Sequence, residues 1–246
     1  MENATQLGGN KTGIHMSPKD TAEMEAGLEA FGAVDTSARG DVQVRADYAD
    51  EADALGSVPP PGTVKGVLKS GVDMITGKRP QVLIDKLGER LAFERGGVRL
   101  YETLLAKCSV ADAPLETADL AALTQFHDEE AEHMMMVVDA IRQLGADPTA
   151  QTPCADLVGV ESMGLVQAMN DPRTSLVQSL HVMLDAELLD NAGWEMLIDL
   201  ANRSGHADIA KQFAVALQQE ARHLAYVRAL VERLTAEEAS LMAAMA

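Results

Sequence analysis

From Pro80 onward the spacing of apolar and polar residues is helical throughout, and its breaks fall at helix-stop signals. A first helix starts at Pro80, a residue favoured in the first turn, and runs to about Lys107. Residues 108–116 read as a loop. A second helix runs from about Glu116 to Leu144 and is closed by Gly145-Ala146-Asp147-Pro148. A long crossover follows, roughly 145–171, with a short helix near 154–169. The third helix starts around Pro172 and ends near Arg203, with Gly205 behind it; the fourth spans about Ala207 to Leu234. Thr235 and Glu238 then have capping-box spacing, which predicts a separate short C-terminal helix. Two short connections flanking one long link imply an all-α, four-helix bundle, with the long link running the bundle's length between helices 2 and 3. A helix of about 28 residues is about 42 Å long, a span the crossover easily covers.

The chain before Pro80 has a different texture. Residues 1–62 are rich in Gly, Asp, Ala and Thr and end near Pro59-Pro60-Pro61. So little apolar surface cannot offset the entropy of ordering, so this part reads as a flexible arm, with a transient helix near 20–31. Residues 63–79 form a lead-in segment in which Val64, Leu68, Val72 and Ile75 share one helical face, weakened by Gly66 and Gly71 at about 1 kcal/mol each. It reads either as a helix packed on the main domain or as a docking peptide for a partner or shell. The bundle domain is then 80–246.

Composition sharpens this picture. Apolar residues make up 47% of the chain but aromatics only 3%, a balance that favours helices over strands. The net charge of −18 argues against nucleic acid and anionic membrane as partners. No apolar run approaches the roughly 20 residues of a membrane span, and the N-terminus lacks the order of a signal peptide. The two cysteines, Cys108 and Cys154, offer neither a disulfide framework nor a Cys-x-x-Cys site. A cytoplasmic location is the expectation.

The chemistry lies in a repeated unit. Glu94 is followed seven residues later by Tyr101, and then by the pair Glu130-x-x-His133. Glu187 is followed seven residues later by Trp194, and then by Glu220-x-x-His223. The separations are 130 − 94 = 36 and 220 − 187 = 33 residues. Residues three apart share a helix face, so each pair aims a carboxylate and an imidazole at one point. Glu94 lies among Leu91, Ala92, Phe93, Val98 and Leu100, and Glu187 among Met183, Leu184, Ala186 and Leu188. Carboxylates in such surroundings are costly unless paired or metal-bound. Four glutamates and two histidines so arranged are what a bundle needs to hold two metal ions. The plain alternative is solvated glutamates on exposed stripes.

The stretches FERGGVRLYETLL (93–105), EEAEH (129–133), AELLDNAGWEML (186–197) and EARH (220–223) resemble the two halves of a ferritin-like di-iron domain, closest to its bacterioferritin and rubrerythrin branches, over about residues 80–234. The resemblance implies a ferritin-like four-helix bundle with two iron ions. Glu94 and Glu187 would be terminal ligands, Glu130 and Glu220 bridges, and His133 and His223 one ligand to each ion. Tyr101 matches a position where such proteins often keep a tyrosine near the centre, which makes it the candidate catalytic residue; Trp194 in the equivalent place is a departure. The chain has no Cys-x-x-Cys pairs, hence no rubredoxin module, and no methionine placed for haem, so haem is not predicted.

The expected activity is that of a non-haem di-iron protein reacting with O2 or H2O2, as a ferroxidase or peroxidase, with Fe²⁺ or an unidentified donor as electron source. A di-manganese, catalase-like enzyme and a non-enzymatic iron store or metal-stabilised bundle are the alternatives, since first-row metals share such ligands. Homo-oligomers are expected on family grounds. Among neighbouring residues, Glu129 and Glu132 read as outer or surface groups, His127 as outer or solvent-facing, and His181 as a structural histidine. Asp190 reads as off the ligand face, and Arg222 as partner to an outer carboxylate or surface ion. Gly96 and Gly97 imply close helix approach or space beside the ions, and Met134, Met135 and Met136 core filling.

Overall fold

The computed structural model describes residues 18–31, 38–60, 80–111 and 115–245; the expected lead-in helix at 63–79 lies outside them. The chain divides into two compact units, one within 4–55 and one beginning at Gly56. The first holds α1 (Pro18–Phe31) and α2 (Ala38–Glu51). The described side chains of both are almost all exposed, as the scarcity of large apolar residues there dictates. The second unit begins earlier than the sequence boundary. Val58 packs on the bundle core, and Pro59 and Pro60 border a cleft with Ile84, Leu91 and Thr152. Among the described residues no helix is long and apolar enough to cross a membrane.

The bundle consists of α3 (Pro80–Cys108), α4 (Thr117–Gln143), α7 (Leu176–Arg203) and α8 (Ala207–Met245). Its crossover carries two helices rather than the one expected, α5 (Pro153–Glu161) and α6 (Met163–Asn170). Ser162 ends the first and begins the second. The third bundle helix starts later than Pro172 because Ser175 and Gln178 form a reciprocal capping box at its N-terminus. The segment after Thr235 is helical, as expected, but it continues α8 without a restart. No Gly or Pro stands near Thr235 to stop the helix, and extending one is easier than nucleating another.

Two turns reverse the chain in the same way. Gly145 and Gly205 both have φ of 83°, the left-handed conformation that closes a helix without a Cβ clash. In each, the next amide reaches back five residues: Ala146 N to the Ile141 carbonyl at 3.1 Å, and His206 N to the Ala201 carbonyl at 2.9 Å. Lys107, at the end of α3, donates to the carbonyls of Asp171 (2.8 Å) and Thr174 (3.3 Å), fixing the far end of the crossover.

Two apolar clusters establish the helix directions. One joins the start of α3 (Leu83, Leu87, Leu91), the end of α4 (Val137, Ile141), the end of α7 (Trp194, Leu197) and the start of α8 (Ile209, Phe213). The other joins the opposite ends, with Leu100, Leu104, Leu123, Phe126, Leu180, Met183 and Val227. Thus α3 and α8 run one way and α4 and α7 the other, and the crossover spans the bundle's length. Positions 94, 130, 133, 187, 220 and 223 fall between the clusters, in a polar layer closed above and below by hydrocarbon.

Candidate metal centre

All six residues of the repeated unit converge in this layer. Ligand-type atoms of Glu130, Glu187, Glu220 and His223 lie within 4.8 Å of one another, as do those of Glu94, His133 and Glu220. Glu220 therefore belongs to both halves. The six side chains are essentially inaccessible to solvent. Both imidazoles turn Nδ1 inward: His133 Nδ1 stands 2.6 Å from Glu220 Oε1, and His223 Nδ1 stands 3.3 Å from Glu220 Oε2 and 3.7 Å from Glu130 Oε1.

The inward atoms have no conventional hydrogen-bond partners. Both oxygens of Glu94 and of Glu220, one each of Glu130 and Glu187, and both histidine Nδ1 atoms are buried without one. Buried polar groups are normally satisfied; Glu94 Oε1 has the Arg90 guanidinium 2.9 Å away and the imidazoles have Glu220, but the carboxylates crowded into this dry volume still need more positive charge. Two divalent cations held between them would supply it. Four glutamates carry −4 and two such ions +4, and the donor set of carboxylate and imidazole suits iron, manganese and zinc. The residues present therefore fit a dinuclear metal centre.

The space for this set is built into the helices. A Cβ on Gly97 would overlap the Glu130 carboxylate, so α3 must offer a glycine there. Gly96 meets nothing within 4 Å, so close approach explains only one of the two adjacent glycines.

Tyr101 is fully buried and donates its hydroxyl hydrogen to Glu187. Its ring stands 6.4 Å from that of His223. Trp194, its counterpart in the repeat, packs edge-on 5.8 Å from His133 and 5.1 Å from Phe213. Each aromatic thus follows the glutamate of one half in sequence and packs on the histidine of the other. Trp194 makes no counterpart to the phenol's hydrogen bond, since its Nε1 is buried without a partner.

Several functional neighbours escaped the sequence reading. Arg90, one turn before Glu94, is buried, with Nε 2.9 Å from Glu94 Oε1 and Nη1 2.9 Å from Asp190 Oδ1. Gly193 leaves room for its guanidinium. Asp190 was expected off the ligand face, yet it is buried, and its carboxylate lies within 4.8 Å of ligand-type atoms of Glu94, Glu130 and Glu220. Three residues is the same spacing that aligns Glu130 with His133, so the signal was present. Arg90 was legible only as an arginine four residues before a glutamate in an apolar stretch.

Outside the cluster, Glu129 accepts from His223 Nε2 at 2.6 Å and from Arg222 at 2.9 Å. This puts Arg222 in the outer-carboxylate role. His133 Nε2 instead faces the Gln219 side-chain oxygen at 2.9 Å. His127 pairs with Asp128 beside Glu102, His181 is exposed near Asp185, and Glu132 is exposed, all away from the cluster. Met134 and Met136 pack on the core, but Met135 is exposed. Cys108 is buried and Cys154 half-buried, both as free thiols.

Ionisation follows from burial and neighbours. Burial first, then the Asp190 carboxylate, pushes Glu94 well above its usual range; burial and the charges of Glu130 and Glu220 do the same to Glu187. Burial opposes a charged His223, but the neighbouring Glu130 and Glu220 carboxylates outweigh it and raise it to about 11. Burial would likewise raise Glu129, yet its bonds to His223, Gln125 and Arg222 bring it down to about 2. Glu220 moves the other way: burial would raise it, but His133 and His223 bring it down to about 2.

The sequence profile of the family described as "Ferritin-like domain" matches residues 85–233. One solved structure, described as of ferritin-like, diiron-carboxylate proteins from Bacillus anthracis str. Ames, is 16% identical, with a TM-score of 0.48, over 61% of this chain and 94% of that one. Among curated proteins none matches the sequence.

Proposed function

The chain belongs to the ferritin-like domain family, and from that membership and its buried ligand set we propose that it is a non-haem di-iron protein that reacts with O2 or H2O2. The observation that carries this reading is the convergence of buried carboxylate oxygens and two imidazole Nδ1 atoms that lack hydrogen-bond partners. In it, Glu94 and His133 would hold one ion and Glu187 and His223 the other, with Glu130 and Glu220 standing among both sets of ligands.

Iron bound there would supply one-electron redox chemistry for reducing the oxidant. The protein's own part is to hold the ligands and exclude water. Leu87, Leu91, Val137 and Phe213 close one side, and Leu100, Leu104, Leu123 and Met183 the other. In such a dry site fixed charges act strongly. Tyr101 fixes one oxygen of Glu187, leaving the other free to face inward. Its phenol would also stand as an oxidisable group beside a bound ion, with its proton held on Glu187. Electrons otherwise come from Fe²⁺, as in a ferroxidase, or from a separate donor, as in a peroxidase.

The test is metal content beside oxidation rate. Purified protein reconstituted anaerobically should hold about two irons per chain, oxidise Fe²⁺ with O2 or H2O2, and lose both properties in Glu130→Ala/Glu220→Ala. Two manganese ions with rapid peroxide disproportionation would reassign the ion. Tens of irons per chain would indicate storage. No metal after reconstitution would overturn the proposal.

A further inference from the structure

The two halves of the centre share their inward ligands but differ in what stands behind the histidines. His223 Nε2 is 2.6 Å from the carboxylate of Glu129. His133 Nε2 is 2.9 Å from the neutral amide oxygen of Gln219. Glu129 directly precedes Glu130, and Gln219 directly precedes Glu220, so the two are counterparts in the repeat. One half of the repeat carries a charge that the other lacks.

That difference acts on the ions. An imidazole that donates its outer N–H to a carboxylate becomes a more basic ligand through its other nitrogen, and such outer partners typically change metal affinity by about 10–100-fold. The Glu129 charge also adds attraction for the ion that His223 holds. Arg222 offsets part of it, but its side chain is 57% exposed and screened by solvent. Other contacts are more evenly shared. Each terminal glutamate has one outside partner, Arg90 for Glu94 and Tyr101 for Glu187. The charge of Arg90 is cancelled by Asp190 at 2.9 Å. Asp190 also stands on the Glu94 side, within 4.8 Å of ligand-type atoms of Glu94, Glu130 and Glu220, but its charge is paired with buried Arg90, so the imidazole backing is the difference that acts on the ions.

We infer that the two metal positions are built unequal: the Glu187–His223 position loads first and holds its ion tightly, and the Glu94–His133 position is the weaker, exchangeable one. Glu129 and Gln219 are the positioning residues that set this order. The inference rests on the dinuclear reading above and adds a sequence of loading to it.

The experiment is an anaerobic titration of the metal-free full chain with Co²⁺, a redox-inert probe here, followed by its visible absorption and by calorimetry. The wild type should show two classes of site, separated by about 10–100-fold. Glu187→Gln should remove the tight class and Glu94→Gln the weak one. Glu129→Gln should weaken the tight class alone. The exchange Glu129→Gln/Gln219→Glu, which preserves composition, should move the tight class to the Glu94–His133 position, so that Glu94→Gln in that background now removes it. A purely structural role for Glu129 and Gln219 would not invert the order. Two Co²⁺ bound with one affinity, loss of the tight class in Glu94→Gln, or an order unchanged by the exchange would each overturn this inference and leave the dinuclear centre standing. No Co²⁺ uptake by the wild type would overturn both.

Discussion

The guanidinium of Arg90 stands 2.9 Å from the Asp190 carboxylate, with both side chains almost wholly removed from solvent. The pair bridges α3 and α7 beside Glu94, and Arg90 also lies 4.4 Å from the centre of the Phe93 ring. Removing one member of such a pair strands a buried charge. Arg90→Gln and Asp190→Asn should therefore each lower stability by about 3–5 kcal/mol. The double variant should cost clearly less than the sum, since it removes both charges. Urea unfolding of the metal-free protein measures this; strict additivity would show that the two do not act as a pair.

Tyr101 presents a narrower case. Tyr101→Phe keeps the ring that packs on Phe126 and His223 and deletes only the hydrogen bond to Glu187. A typical intramolecular hydrogen bond contributes about 0.5–1.5 kcal/mol, so a stability loss of that order is expected in the ion-free protein. Two metals should still bind. If the phenol also feeds the reaction, the rate of ferrous or peroxide turnover should fall at least tenfold with metal content unchanged. Unaltered turnover would confine Tyr101 to holding Glu187.

The bundle and the convergence of its inward residues were legible because both depend on spacing within single helices. Glu130 and His133 share a face by the geometry of one helix, and Gly145 and Gly205 stop theirs locally. What was not legible depends on which helix faces which, and at what height. Gln219 is an ordinary polar residue until α8 is set against α4 and its amide meets His133. Glu129 looks like a surface neighbour of Glu130 until His223 arrives from α8. Asp190 is the instructive failure, because the three-residue rule applied to it as well as to His133. Its burial follows from Arg90, whose partner is 100 residues away. The running-on of α8 past Thr235 shows the reverse: a local capping signal overridden by an intact helix.

Proton release offers a test on the centre as a whole. Burial and neighbouring carboxylates hold Glu94 and Glu187 well above the usual carboxylate range, and His223 is raised to about 11. These three shifts all favour bound protons on groups that must be deprotonated to act as ligands. Entering cations displace them, so apparent affinity should rise with pH through the neutral range, by about tenfold per pH unit for each proton released. Calorimetric titration in two buffers of different ionisation enthalpy counts the protons. Binding that releases none would contradict the protonation described here.

Gly96 and Gly97 are adjacent in the same helix and should respond in opposite ways. A methyl group at position 96 meets nothing within 4 Å, so Gly96→Ala gains helix propensity, about 1 kcal/mol, at no steric cost. At position 97 the same methyl overlaps the Glu130 carboxylate. Gly97→Ala has the same propensity gain but must push Glu130 out of the shared position between the two halves. The expected result is that Gly96→Ala raises the unfolding midpoint and keeps two metals per chain. Gly97→Ala should lose metal affinity by tenfold or more while remaining helical by circular dichroism. Equal metal binding in the two variants would mean that Glu130 does not need its present position to complete the centre.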